Sequence, residues 1–539
     1  MNRFPRRSRV TVVVAIVLLV VIPLVPDAIA GGSPFGLLRL PIESIVAILV
    51  LAVLPWRPAR IAIAVVFALV VVSALALAGL DAAFEYALDI HFDPTDWPEV
   101  NDGYGVVQDS IGPTAAMLVL IVVALVAVAA MAALAWAALR VDGAIRRRRR
   151  NGAITVTAAT AAWAVLALTG AQLVSGAPLA ASASAGAIGS AASRAELSLG
   201  AQAGLSSKVR ADPYSAIPAS GLLTSLRGKD VIIAFIESYG QVAVQGTGFS
   251  DGVDSVLEQG QSELSAAGYS SQSAWLNSPT FGGLSWLAHS TLESGVWANT
   301  APIYSSLIRS DRFTLSDAFR NAGWRTVSDV PSDTKPWPFG TSFYHYQTLY
   351  NSTNVGYQGP KFGYAQIPDQ YTWQYFADHE LAGPHQPVMA EIDLVSSHTP
   401  WAPLPTMVPP AQVGDGSIYE PQPAEGRSAE SVWKDPKLVQ QAYGQSIQYS
   451  LDAMFSFLRN SDDPNLVVIA LGDHQPATIV SGTGADHEVP ISIISKDPSV
   501  FHAISGWHWV NGLRPTPGAP VWPMDDFRDR FLTAFDKKN

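Results

Sequence analysis

The chain predicts an α/β sandwich with a mostly parallel sheet, preceded by a five-helix membrane domain. Three observations predict this class. Five apolar stretches of about bilayer length fall within the first 176 residues. The arginines between those stretches sort by loop. Beyond residue 228, short runs rich in β-branched residues alternate with helical stretches. Composition agrees: of 539 residues, 49% are hydrophobic and 15% charged, a balance that points to a membrane portion, and the length asks for more than one core. Cysteine is absent, which excludes a disulfide framework, a thiolate zinc site and a cysteine nucleophile. The net charge of -11 gives no sign of a nucleic-acid partner.

The expected spans lie near 10–29, 36–56, 61–80, 114–139 and 154–175, within a domain of residues 1–176. The first follows the basic arm Arg3, Arg6, Arg7 and Arg9. Four further spans follow it, so it reads as an uncleaved anchor rather than a signal peptide. The second carries Arg39, Pro41 and Glu43 near its start, where an arginine can reach the interface or a lipid headgroup. The second loop holds Arg57 and Arg60, and the fourth holds Arg140 and Arg146 through Arg150. The first loop has no Lys or Arg. The third has none either, but carries Asp81, Glu85, Asp89, Asp93, Asp96, Glu99, Asp102 and Asp109. The positive-inside rule then places the N-terminus in the cytoplasm of a multi-pass membrane protein, and everything after residue 176 outside.

Residues 177–227, rich in Ala, Ser and Gly with Pro213, Pro218 and Gly221, read as a flexible linker with a short amphipathic helix around 190–205. The outer domain, 228–539, has expected strands at 231–237, 324–330, 387–395, 465–471 and 489–495. Its expected helices are 251–266, 285–293, 311–322 and 436–459. The stretches 331–385 and 399–435 read as long excursions over one face of the sheet.

Two patches carry the chemistry. Val231-Ile232-Ile233-Ala234-Phe235-Ile236 runs into Glu237-Ser238-Tyr239-Gly240, and Leu466-Val467-Val468-Ile469-Ala470-Leu471 runs into Gly472-Asp473-His474. In a parallel sheet such runs are buried strands whose carboxyl ends form the ligand-binding rim, so Glu237, Asp473 and His474 are expected at one edge. Taken alone, a carboxylate at a strand end is a helix cap more often than a ligand. An adjacent Asp and His, however, offer an oxygen and a nitrogen to one cation, a mixed set suited to Zn²⁺ or Mn²⁺ rather than Ca²⁺. Between the patches lies Ser278-Pro279-Thr280-Phe281-Gly282-Gly283-Leu284-Ser285-Trp286. A Gly-rich turn opening a helix exposes Ser285 at the helix N-terminus, where free N–H groups favour an alkoxide and a phosphoryl group; an N-cap is the plainer reading of the same serine.

Together these patches resemble the alkaline phosphatase/sulfatase superfamily. With the five spans, the chain resembles the lipoteichoic acid synthase-type phosphoglycerol transferases, with the phosphoethanolamine transferases a close second. The resemblance implies one divalent ion, Mn²⁺ or Zn²⁺, held by Glu237, Ser285, Asp473 and His474. It implies Ser285 as nucleophile, with Thr280 as the fallback. It also implies that His398, just past a strand, contacts the phosphoryl group or protonates the leaving group, a role that suits an imidazole titrating near neutrality. His487, Asp369, Trp337 and Lys335 are the candidate substrate-side groups. Trp337, Trp373 and Trp401 are candidate sugar or lipid platforms, or core.

The chain also departs from the pattern. The relatives normally use threonine where Ser285 stands, often carry an acid where His289 stands, and in lipoteichoic acid synthases have an arginine near the position of Phe339. No Ser-x-Pro-x-Arg motif occurs, so formylglycine-type sulfate-ester cleavage is excluded. The implied activity is transfer of a phosphoglycerol or phosphoethanolamine headgroup from a membrane phospholipid to an envelope glycan or glycolipid through a covalent serine. A phosphodiesterase or phosphatase using water, and a catalytically inactive envelope sensor or scaffold, are the alternatives.

Overall fold

The computed structural model describes residues 6–31, 34–88, 91–97, 100, 104–105, 107–108, 112–147, 149–174, 177–210 and 212–536. Arg3, Arg148, Asp89, Glu99, Asp102 and Asp109 lie outside the described residues. The chain forms two compact units. The first takes Met1–Glu85, Ile90–Trp97 and Thr114–Leu197, and the second takes Tyr86–Asp89, Pro98–Pro113 and everything from Ser198 onward.

The first unit is helical: α1 (Arg6–Val21), α2 (Ile42–Val53), α3 (Arg57–Leu88), α4 (Pro113–Arg147) and α5 (Arg149–Thr169). Four helical spans are long and apolar enough to cross a bilayer: Arg9–Ala30, Arg57–Tyr86, Pro113–Arg147 and Arg150–Thr169. The expected second span, 36–56, is helical over only 12 residues as α2, which at about 1.5 Å per residue falls well short of a hydrocarbon core of about 30 Å. The reason lies in the sequence before it. Pro41 lacks an N–H and holds Leu40 extended, so Leu40–Pro41 instead pairs with Ala180–Ala181. Arg39 is bound to the Asp27 carboxylate and donates to Pro178 O at 2.6 Å.

Polar contacts in this unit gather at its two ends. At one, buried Asp142 accepts from Arg60 (2.9 Å) and Arg146 (2.9 Å), Arg146 reaches the carbonyls of Leu51 and Leu54, and Arg140 donates to Thr11. At the other lie the Arg39–Asp27 pair and the Trp163 indole donating to Ala181 O at 3.3 Å. Leu19, Ile48, Leu51, Phe67, Val71 and Leu134 pack between them. Where a flexible stretch with a short helix was expected, residues Ala183–Arg210 form one helix of 28 residues, α6. Alanine is the strongest helix former, and no proline interrupts the run. Pro213 and Pro218 come after it.

The second unit is built on a nine-stranded sheet. Its strands are β1 (Asp230–Ile236), β2 (Ser270–Asn277), β3 (Arg325–Val330), β4 (Thr348–Asn351), β5 (Val388–Leu394), β6 (Leu466–Gly472), β7 (Glu488–Ser495), β8 (Val510–Asn511) and β9 (Val521–Pro523). The order is β8-β2-β7-β6-β1-β5-β3-β4, with β9 also on β2. Strands β6, β1, β5, β3 and β4 are mutually parallel, and β7 runs antiparallel to β6 and β2. The five strands expected from the sequence are all present, within two residues at each end; β2, β4, β8 and β9 were not foreseen.

Helices cover both faces. On one, Val231, Ile233 and Phe235 of β1 pack with α8 (Ser285–Ser294), α9 (Leu315–Ala322) and α12 (Asp526–Phe535). On the other, Ile232, Ala234 and Ile236 pack with α7 (Ser250–Ala266), α10 (Asp369–Glu380) and α11 (Pro436–Asn460). Each large apolar side chain so removed from water contributes about 1.5–3 kcal/mol. This is why β1 and β6, buried on both faces, read as unbroken apolar runs.

Candidate active site

Strand register brings the two patches together. Gly472 pairs with Ile236 in the parallel ladder, so Glu237 and Asp473 leave neighbouring strands at the same level. Glycine is required at 472: a Cβ there would sit 1.9 Å from Tyr239 O, where the loop after β1 crosses the end of β6. Ser238 turns that loop in the left-handed region at φ 57°. Leu284 does the same at φ 63° immediately before Ser285, which opens α8. The Gly-rich turn is tied to the other patch by Gly282 N–H, which donates to Gln475 O at 2.8 Å.

Four side chains converge. The Ser285 hydroxyl donates to Glu237 Oε2 at 3.1 Å and lies 3.2 Å from His474 Nε2. His474 Nε2 is 3.4 Å from both Glu237 Oε1 and Asp473 Oδ2. His474 Nδ1–H donates to Gln475 O at 2.8 Å, which aims Nε2 at the three oxygens. Asp473 Oδ1 accepts the backbone N–H groups of Ser238 and His474, both at 2.7 Å. Its other oxygen, Oδ2, is buried with no hydrogen-bond partner. Glu237, Asp473 and His474 are buried, whereas Ser285 is half-buried and can meet a substrate.

The electrostatics call for positive charge at the centre. Burial raises Glu237, but His398 and His474 outweigh it and hold the carboxyl well below its usual range. Burial, with Glu237 beside it, raises Asp473 above the usual range. Burial lowers His474, but Asp473 and Glu237 outweigh it and bring the imidazole up to about 9. Two carboxylates, one of them with a buried oxygen that lacks a hydrogen-bond partner, a hydroxyl and one ring nitrogen form a donor set that fits a divalent ion of the Mn²⁺ or Zn²⁺ kind.

The other sequence candidates fall in several places. His398 follows β5, stacked on Tyr364 with centroids 3.6 Å apart, and its Nδ1 is 2.6 Å from Thr399 O. Its loop is fixed to the site because the Ser397 hydroxyl donates to Glu237 O at 2.6 Å. Trp337 lines a cavity of about 350 Å³ with Ser328, Asp333, Thr341, Asn351 and Thr353, at the carboxyl ends of β3 and β4 on the same rim. Lys335 is exposed beside it and does not line it. The His487 ring lies against Phe281, and its Nδ1 is 3.2 Å from Ser278 O. The Thr280 hydroxyl donates to Gly283 O at 2.6 Å, shaping the turn before Ser285.

Asp369 is not brought to the site. It is fully buried, its carboxylate accepting from Ser396 N–H and the Ser450 hydroxyl, and it fastens α10 to the segment after β5. Trp373 stacks on Phe457, and Trp401 is stacked with Trp433; both are core. Sequence reasoning missed Glu391 and Asp393, two acids on one face of β5 that meet His289 one turn into α8. Their i, i+2 spacing in a buried strand was the available signal.

No family model matches the chain, and no curated protein matches it. Among solved structures it matches the lipooligosaccharide phosphoethanolamine transferase A of Neisseria meningitidis, an integral membrane protein, at 13% identity and a TM-score of 0.47, covering 92% of this chain and 86% of that one. It matches the lipoteichoic acid synthase LtaP of Listeria monocytogenes at 13% identity and 0.36, covering 59% and 74%. A Vibrio parahaemolyticus protein in the alkaline phosphatase superfamily matches at 12% identity and 0.33, covering 57% and 66%. The structural matches thus include members of the alkaline phosphatase superfamily.

Proposed function

We propose that this chain is a membrane-anchored, metal-dependent transferase that moves a phosphoglycerol or phosphoethanolamine headgroup from a phospholipid to a cell-envelope hydroxyl, by way of a covalent Ser285 adduct. One observation carries this reading: the Ser285 hydroxyl lies 3.1 Å from Glu237 and 3.2 Å from His474, with Asp473 beside them, at the N-terminus of a helix. Glu237, Ser285, Asp473 and His474 would hold one divalent ion, which when bound lowers the pKa of the serine hydroxyl and offsets charge on the phosphodiester.

The chain's own residues do the rest. Ser285, its hydroxyl proton already released to solvent, attacks phosphorus in line as the oxyanion, the P–O bond to diacylglycerol breaks, and His398 gives its proton to the departing oxygen. In the second step the acceptor hydroxyl gives its proton to His398 and attacks phosphorus, and Ser285 leaves as the oxyanion with which it began. The free N–H groups at the start of α8 favour the negative charge that both steps carry. The cavity beside Trp337 is the place for the headgroup.

In this reading α2 and the residues before it complete a fifth pass. Support comes from the contacts of Arg146 with Leu51 and Leu54, at the C-terminal end of α2, and of Ser44, at its start, with Leu19 of α1. The N-terminus is then cytoplasmic and the catalytic unit extracytoplasmic. The test is mass spectrometry of the full chain in liposomes of phosphatidylglycerol or phosphatidylethanolamine. A headgroup mass on the Ser285 peptide is expected. Turnover with no adduct in rapid-quench samples would sink the covalent scheme, and release of free headgroup in the presence of acceptor would make the chain a hydrolase.

A further inference from the structure

We propose that His289, Glu391 and Asp393 form a second divalent-cation site, distinct from the one at Ser285, that joins α8 to β5. His289 Nδ1 lies 2.9 Å from Glu391 Oε1 and 3.5 Å from Asp393 Oδ1, and the three ligand atoms fall within 4.8 Å of one another. That is one nitrogen and two anionic oxygens, the donor set of Zn²⁺ or Mn²⁺.

Three further observations favour an ion. First, Asp393 Oδ1 is inaccessible to solvent and has no hydrogen-bond partner. Second, among the described residues no Lys or Arg pairs with either acid, and His289 is their one ionic partner. The other groups that act electrostatically on Asp393, Asp333 and Asp473, are also acidic. Third, the ligands are held from behind, as metal ligands are. The Tyr346 hydroxyl donates to Glu391 Oε2 at 2.9 Å, and the Phe235 ring stacks on His289 at 3.8 Å. The Asp393 side chain is 18% exposed, which gives the trio an edge toward solvent.

The consequence is mechanical. Ser285 opens α8 and His289 lies one turn further along it. An ion held between His289 and β5 fixes the register of that helix against the strand beside β1. The site stands without the reading of Ser285 as a nucleophile.

The test counts ions. Full chain in detergent is stripped with EDTA, equilibrated with Mn²⁺, desalted and measured by inductively coupled plasma mass spectrometry. Two ions per wild-type chain are expected, with one remaining in D393N and one in D473N. One ion in wild type, unchanged in D393N and lost in D473N, would overturn the proposal and leave the trio an internal ion pair. Loss in D393N with no change in D473N would uphold this site and sink the other. H289Q serves as the second variant, with circular dichroism checking that each variant folds. Should neither fold, Mn²⁺ titration of D473N by electron paramagnetic resonance decides: a break at one equivalent supports the site, and no break refutes it.

Discussion

Replacing Asp473 by asparagine separates the two tasks of that side chain. Oδ1 accepts the Ser238 and His474 N–H groups at 2.7 Å, and an asparagine carbonyl accepts the same pair. Oδ2 has no hydrogen-bond partner and lies 3.4 Å from His474 Nε2, toward the centre of the site. An amide nitrogen in its place carries hydrogens and offers a cation no lone pair. D473N therefore keeps the loop and loses the ligand. An ion present at 100 times its Kd stabilises the folded protein by about 2.7 kcal/mol. At about 2 °C per kcal/mol for a large unit, that is a rise of roughly 5 °C in Tm.

The comparison is made in a D393N background, so that only one site can load. D393N should show the full rise with Mn²⁺ over EDTA, and D393N/D473N a rise below about 1 °C. In EDTA the double variant should melt no lower than its parent, because a buried carboxylate charge has gone while both backbone bonds remain. D473A, which strands both N–H groups, should lose about 1–3 kcal/mol for each. If D393N/D473N gains as many degrees from Mn²⁺ as D393N, Asp473 is a loop cap and the ligand assignment fails.

Three other outcomes are expected. S285A should lose the covalent adduct and on the order of 10³-fold or more of transfer, while S285T, which restores a hydroxyl, keeps a measurable part; equal rates in S285A and wild type would remove the nucleophile. Gly472→Ala drives a Cβ to 1.9 Å from Tyr239 O and should cost about 3 kcal/mol or more together with metal binding, as read by urea melts and ion counts. Asp329 is buried, and that burial, with the Glu380 charge, raises it from 3.8 to about 7. The folded state thus keeps a proton that the unfolded chain releases above about pH 4. Stability should fall between about pH 4 and 7 by up to about 4 kcal/mol on this account, and D329N should flatten that part of the slope; an unchanged slope contradicts it.

What the sequence revealed depends on how each element earns its burial. Strands β1 and β6 announced themselves because both faces are covered, leaving no polar position in either run. Strand β2, Ser-Ser-Gln-Ser-Ala-Trp-Leu-Asn, hides because its first half is polar and hydrogen bonds to β7, β8 and β9 hold it, with Ser271 and Ser273 buried all the same. The Glu237/Asp473-His474 meeting was legible since strand ends imply a rim. The partners of His289 were not: Glu391 and Asp393 sit inside a β run, where a carboxylate reads as solvent-facing until the sheet order shows helix α8 above it. The second membrane stretch shows how one residue overrides hydropathy, with Pro41 delaying helix formation to Ile42.

The adjacency of β1 and β6 has a bearing on biogenesis. A nascent chain that has emerged only as far as β5 holds Glu237 and Ser285 but neither Asp473 nor His474. On the proposed function, loading of the Ser285 site awaits synthesis of residue 474 and insertion of β6 beside β1, so that ion would be drawn from whichever compartment the finished domain occupies.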